Sequence, residues 1–449
     1  MAPSPPASTD GSKTWAPSHL FDNDTDIWDR IHGHLNANEF KAAVTTAFEL
    51  SRGDNFTYHA AASVNLAQVE AAIHAGRANG LHAWYIEPVG DATATVTGDE
   101  DGANGENDLP VKENEGEKKE EESSSSVTPD QPSSLRVAGY PPPADIHAYI
   151  SLFDPTKSAA NSLKSLAANA KKGSLRAGIA EYLLSKRYLD SSINVPKFKI
   201  SAPPKPSKAR NGSAGGEGET KTSSSSPAAA AAARGHENPA LDFWAYSCMA
   251  LEWAGPNAHT ARVRSSHHLL PVYMHHFGCV VPSWESLQVI AKLAGPGGSV
   301  IDMGSGNGYW TLMLRRLLGT LGGSVVAVDS GQSRWRTTWI ADTQAVDGVQ
   351  YLRRRGGCAS AVLLLVYPVV GRDGEGEFTR RVLDAFTGAV VCVVGTQNGN
   401  GYTGFKDMMV DEYMRQQRPD WDKVAQVPLP SFAGKDDALF AFRRRKPVD

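Results

Sequence analysis

The chain has 449 residues, with 45 Lys and Arg against 49 Asp and Glu, a formal net charge of -4 and a 41% share of hydrophobic side chains. That balance excludes a polybasic binder and leaves no clear nucleic-acid-binding signature. The longest apolar runs, such as Ala361 to Val370, are too short to span a bilayer, and the start Met1-Ala2-Pro3-Ser4-Pro5-Pro6 lacks the basic and apolar parts of a secretory signal, so a cytoplasmic protein with no membrane partner is expected, the nucleus remaining open.

Residues 1–89 read as an N-terminal helical region. Ile27, Ile31, Leu35, Phe40, Val44 and Phe48 recur at near-helical spacing, and Val64 to Ala78 continues the pattern. Residues 90–139 form an acidic, Ser-rich insert with too few apolar side chains to offset the entropy of ordering, and disorder is expected there. Residues 140–201 return to helical patterning, and 202–235 form a second low-complexity insert ending in the alanine run Ala228 to Ala233, again expected to be disordered. A helical or lid segment, 236–282, follows. Its Trp244 and Trp253, with Trp28 and Trp84 upstream, are core residues or else line a substrate pocket.

From residue 283 to the end the texture changes. Pro282-Ser283-Trp284-Glu285 opens a helix closed by Gly295-Pro296-Gly297-Gly298. Strands are then expected at Ser299 to Met303, Ser324 to Val328, Thr337 to Ala341, Ala361 to Tyr367, Ala389 to Gly395, Val424 to Val427 and Ala438 to Arg443. Helices are expected at Tyr309 to Leu318, Val346 to Arg354, Phe378 to Ala385 and Phe405 to Gln417. Such alternation specifies an α/β, Rossmann-like domain: a mostly parallel seven-stranded sheet with helices on both faces and an antiparallel last strand.

Two motifs carry chemistry. Val300-Ile301-Asp302-Met303-Gly304-Ser305-Gly306-Asn307-Gly308 is a buried strand that ends in a carboxylate and enters a glycine-rich turn opening a helix. Glycines let a ligand lie against the backbone, and the Gly-x-Gly-x-Gly spacing differs from that of pyrophosphate binders. The second, Val325-Val326-Ala327-Val328-Asp329, places a carboxylate where it can accept from both hydroxyls of a ribose and would repel a 2′-phosphate.

Around these motifs the last 165 or so residues resemble the class I S-adenosylmethionine-dependent methyltransferases, and more narrowly the methyltransferase-like proteins of fungi. The resemblance implies S-adenosylmethionine as cofactor, with Asp302, Gly304, Ser305, Gly306 and Gly308 around the methionine moiety, Asp329 on the ribose and Asp342 near the adenine. It implies methyl transfer to an acceptor that the sequence does not name: protein, RNA and small molecule stay open. The alternative is a catalytically silent domain serving as an interaction scaffold.

Further residues are candidates for the acceptor side. Tyr367, at the end of the fourth expected strand, faces substrate or packs at the sheet edge; the polar loop Thr396 to Tyr402 follows the fifth. His267-His268 and His275-His276 bracket an apolar stretch without metal-ligand spacing, so no metal is expected. They serve as a lid or in packing, or His267 or His268 is the base that an oxygen acceptor would need. Cys248, Cys279, Cys358 and Cys392 are read as reduced residues in or near the core.

Overall fold

A computed structural model describes residues 8–21, 26–60, 62–79, 82–89, 135–198, 237–263 and 267–445. Its centre is an eight-stranded sheet, formed where short runs of Val, Leu and Ile end at glycine or polar turns. The strands are β1 (Tyr188–Leu189), β2 (Ser299–Met303), β3 (Ser324–Asp329), β4 (Gln344–Ala345), β5 (Ala361–Val366), β6 (Val390–Thr396), β7 (Trp421–Pro428) and β8 (Asp437–Arg444). Their spatial order is β4-β3-β2-β5-β6-β8-β7-β1. β2 to β6 run parallel, whereas β8 is antiparallel to β6, β7 to β8 and β1 to β7.

Three expectations are corrected here. The sheet is mixed and has eight strands where seven were expected, and the eighth, β1, comes from a segment read as helical. The last strand is antiparallel as expected and lies inside the sheet: β7 and β8 are joined without a crossover and β8 pairs along its length with β6, Thr396 standing opposite Asp437. Thr337 to Ala341 is not the third strand: Thr337–Thr338 pairs antiparallel with Ser8–Thr9, and the third position is taken by the two-residue β4. The helix expected over Phe405 to Gln417 starts only at Val410, after a turn through Gly404 at φ +68°.

Side chains alternate across the sheet as the pleat requires. On β5, Val362 and Leu364 enter one core while Leu363 and Leu365 enter the other. The second core is covered by the helices Gly348–Arg354, Glu377–Ala385 and Val410–Gln417, through Leu352, Val382 and Met414 among others. The first is covered by Trp284–Ala294, whose Ser283 and Ser286 form a capping box, and by Tyr309–Leu318. It runs on without a break into the N-terminal helices Ile27–Asn36, Phe40–Ala47, Leu66–Ala75, Pro143–Ile150, Leu175–Lys186 and Pro239–Ala250.

Trp28, Trp84, Trp244 and Trp253 are all buried, and each indole N–H donates to a backbone carbonyl, of Leu20, Leu251 and, for the last two, Ser431. They are core residues. Each ring removes about 150–250 Å² from water, on the order of 4–6 kcal/mol of burial, so the N-terminal region is an integral layer over one face of the sheet. Both expected inserts lie outside the described residues, apart from the last few of the first, where Leu135–Val137 pairs with Ile86–Pro88.

Candidate functional site

The strand order reverses between β2 and β5: the chain leaves β2 toward β3 and β4, then returns to lay β5 on the other side. Ligands of open α/β sheets bind at the carboxyl edge beside such a switch point. A cavity of about 320 Å³ opens there, lined by the turn Gly304 to Asn307, by Asp329 and Trp335, and by Asp347, Tyr367 and Phe378 among others.

The turn after β2 is held by backbone bonds. The Gly304 and Ser305 amides donate to the Val328 carbonyl at 2.7 and 3.1 Å. Gly306 has φ +56° and a side-chain carbon there would come within 3.0 Å of Cζ2 of Trp335; Gly308 has φ +82° and such a carbon would meet Ile340 at 2.4 Å. Both therefore need glycine, for backbone conformation and for space. The Gly306 amide donates to Asp329 Oδ2 at 2.9 Å, while Oδ1 accepts from the Gly331 amide at 2.6 Å. At the head of the next helix, Asn307 Oδ1 accepts from the Tyr309 amide. Ser305 is buried in the cavity wall, and its hydroxyl has no partner among the described residues.

Asp302 is placed differently from expectation. It does not line the cavity but is fully buried beneath the turn, where Oδ2 accepts from the Thr311 hydroxyl at 2.6 Å and Oδ1 has no partner among the described residues. Burial pushes its carboxyl up to about 7, opposed by the Thr311 bond. Asp342 is also outside the cavity: its carboxylate makes a two-pronged pair with Arg315 at 2.7 and 3.0 Å on the surface. The carboxylate that reaches the cavity after the third strand is that of Asp347, which caps the helix Gly348–Arg354 by accepting from the Gln350 amide. With β4 placed at Gln344–Ala345, its position two residues after the strand would have identified it.

On the β5 side, Tyr367 lines the cavity with φ +53°, an uncommon conformation for an aromatic residue. Its hydroxyl donates to Asp437 Oδ1 at 2.9 Å, and the Lys435 ammonium lies 4.2 Å from its ring centre. Asp437 Oδ2 has no partner among the described residues, and burial raises this carboxyl to about 6. Cys279, also in the cavity wall, is held as a thiol by burial. Asp437 and Lys435 were not singled out in the sequence, because only the antiparallel return of β8 brings them to the ligand edge.

The histidines fall elsewhere. His267 is buried against Phe432 with Nδ1 accepting from the Leu270 amide; burial lowers it to about 3, and it does not line the cavity. His268 precedes the helix Leu269–Phe277 and is likewise outside the cavity lining. The loop Thr396 to Tyr402 is also outside it: Gln397 bonds to Gln426 and to Asp436, and Asp436, which accepts from the Tyr182 hydroxyl, ties the loop to the helix Leu175–Lys186. The four cysteines are free. Among the described residues no three His, Cys, Asp or Glu side chains gather as a metal cluster, and no helix is long and apolar enough to cross a membrane.

No protein-family model matches the chain, and no curated protein matches it. Among solved structures it is similar to 1,6-didemethyltoxoflavin-N1-methyltransferase of Burkholderia thailandensis, at 14% identity and TM-score 0.28, over 36% of this chain and 76% of that one. A putative RNA methyltransferase of Pyrococcus horikoshii is similar at 11% identity and TM-score 0.26, over 37% of this chain and 87% of that one. Human N-acetylserotonin methyltransferase is similar at 12% identity and TM-score 0.23, over 36% of this chain and 53% of that one. At such scores the likeness says nothing of this chain's chemistry, which has to come from the residues of the cavity.

Proposed function

We propose that the chain is an S-adenosylmethionine-dependent methyltransferase acting on an acceptor yet to be identified. One observation carries this: the glycine turn after β2 and the carboxylate ending β3 share one cavity at the switch point, with the Gly306 amide bonded to Asp329. A diphosphate would meet that carboxylate, and two of the amides it would need already serve Asp329 and Asn307, so a dinucleotide fits poorly. A ribose fits well, because a half-buried carboxylate can accept from its two hydroxyls. The unpartnered Ser305 hydroxyl suits the polar end of an amino-acid moiety, and Asp347 stands where it can meet an adenine amino group. Asp302 supports the turn from below.

When bound, S-adenosylmethionine supplies an activated methyl group on a sulfonium. The protein then has to position the acceptor in line and exclude water. Tyr367 is the candidate for positioning: Asp437 and Lys435 fix its ring at the cavity edge. His268 is dropped as a candidate base, since it does not reach the cavity. Protein, RNA and small molecule remain open as acceptor classes, and the narrower resemblance to fungal methyltransferase-like proteins rests on the sequence alone. The experiment is to incubate the purified full chain with methyl-labelled S-adenosylmethionine and fractionated lysate. Transfer of label to one fraction, lost in Asp329→Ala, is the expected outcome. Cofactor binding without transfer to any fraction would favour the scaffold alternative.

A further inference from the structure

Trp335 stands in the cavity wall against Gly306, six residues after Asp329. It belongs to a segment that is not held by the main sheet. Thr337 and Thr338 pair with Thr9 and Ser8, the Asp10 amide donates to the Arg336 carbonyl at 2.8 Å, and the Thr9 and Thr337 hydroxyls lie 3.1 Å apart. Arg336, next to Trp335, points away from the cavity into the N-terminal region. Its guanidinium grips both oxygens of Asp54, donates to the Tyr58 hydroxyl at 2.7 Å and lies over the ring of Phe56. That ion pair is nearly sealed from water, with side-chain exposures of 3% and 10%. Tyr58 and Thr337 meet again through His276, whose two ring nitrogens lie 2.9 and 2.7 Å from their hydroxyls. On the ligand side the same segment is anchored to the glycine turn, the Trp339 amide donating to the Asn307 carbonyl at 2.8 Å.

The segment 335–339 is therefore shared between the turn that would hold the ligand and an N-terminal layer that does not touch it. We propose that Trp335 is a ligand-binding wall of the nucleoside site, that Arg336 is its positioning residue, and that occupancy of the cavity is coupled through them to docking of residues 8–10 and 54–58. The inference rests on the cavity being the S-adenosylmethionine site. The physical reason is geometric. An indole beside Gly306 offers a rigid face to whatever lies on the turn; main-chain bonds tie its neighbour Arg336 to His275 and to Asp10, and the two-pronged grip of Asp54 on the Arg336 side chain fixes that junction to the N-terminal layer. Coupling of this kind is reciprocal: a ligand that favours the placed indole must also favour the docked N-terminal segment.

Calorimetric titration of the full chain with S-adenosylhomocysteine, together with hydrogen exchange, tests this. If the wild type does not bind, the site itself has been misassigned and the inference falls with it. With wild-type binding established, Trp335→Ala is expected to weaken affinity about tenfold, whereas Trp335→Phe, which keeps an aromatic face, keeps most of it. Saturating ligand is expected to slow exchange at residues 8–10 and 54–58, none of which lines the cavity. Asp54→Asn should weaken affinity about fivefold and abolish that remote slowing while β2 to β6 exchange as in the wild type. If Asp54→Asn loosens the core as well, Arg336→Lys, which keeps the charge and loses the two-pronged geometry, is used with the same expectation. Wild-type affinity in both Trp335→Ala and the Arg336 or Asp54 variant would overturn the inference. So would ligand protection confined to 304–308 with none at 8–10.

Discussion

The two sides of the switch point are built by different means. On the β2 side the cavity wall is largely main chain: Gly304 and Gly306 at positive φ, amides committed to Val328 and Asp329, and a carboxylate from the neighbouring strand, with the Trp335 indole against the turn. On the β5 side it is side chains gathered from distant stretches, with Tyr367 fixed by Asp437 and Lys435 and faced by Cys279. A backbone wall tolerates few substitutions and suits a ligand that never changes. A side-chain wall can be altered one residue at a time, which suits the partner that differs between enzymes sharing a cofactor.

The largest effect that would break this contrast comes from Gly306→Val. A β-branched residue at φ +56°, with Trp335 already at 3.0 Å, has to displace the turn or the indole. Affinity for S-adenosylhomocysteine should fall by roughly 3 kcal/mol or more, beyond a hundredfold, in a protein that still folds; unchanged affinity by calorimetry would mean the turn is not the binding wall.

Next in size is a pH effect from the carboxyl beneath the turn. Asp302 titrates near 7 in the folded chain and near 4 when unfolded, so folding takes up a proton between those values. Stability supplied by the protonated form is complete below about 4 and lost as pH rises through about 7. Asp302→Asn has no proton to lose, and its stability relative to wild type should rise by roughly 2–3 kcal/mol from pH 5 to pH 7. Asp437, raised to about 6, imposes a smaller decline that both proteins share. Parallel curves in urea unfolding would show that Asp302 is ionised throughout.

The third comparison sets the walls against each other. Asp329→Ala removes the proposed ribose acceptor and the partner of the Gly306 amide, and should cost about 1–3 kcal/mol in cofactor affinity. Tyr367→Phe should cost about 1–3 kcal/mol in turnover with affinity nearly unmoved. Equal losses of affinity in both variants would put Tyr367 in the cofactor site. An unchanged turnover would leave it as a packing residue at the sheet edge.

The smallest effect concerns the first insert. Removing residues 91–134 should change stability by less than about 0.5 kcal/mol, as expected for a stretch so poor in apolar side chains. Extending the deletion to 139 also removes Leu135–Val137, the partner of Ile86–Pro88, and the Arg136 pair with Glu87. That longer deletion should lower the melting temperature measurably, and equal temperatures for the two deletions would count against a structural role for the hairpin.

What could be read from the sequence follows the same division. The turn and its flanking strands are local, and β2 and the helix Tyr309–Leu318 fall where periodicity put them. That Asp302 turns under the glycine turn to Thr311 was not legible, because adjacency to a motif does not say which way a side chain points. Thr337 to Ala341 alternates like a central strand, yet it serves partners more than three hundred residues upstream. β4, the true third strand, is two half-polar residues with no apolar run to betray it. Asp437 and Lys435 reach Tyr367 only because β8 returns between β6 and β7, a fact of topology that no local pattern encodes.

The ends of the sheet carry one more consequence. Its outermost strands, β1 and β4, are each two residues long, so neither presents the row of free amides and carbonyls on which another strand could grow. Crowding or partial unfolding is thus poorly placed to start ribbon-like aggregation from this sheet. Pairing of this sheet with another copy through its edges is disfavoured for the same reason.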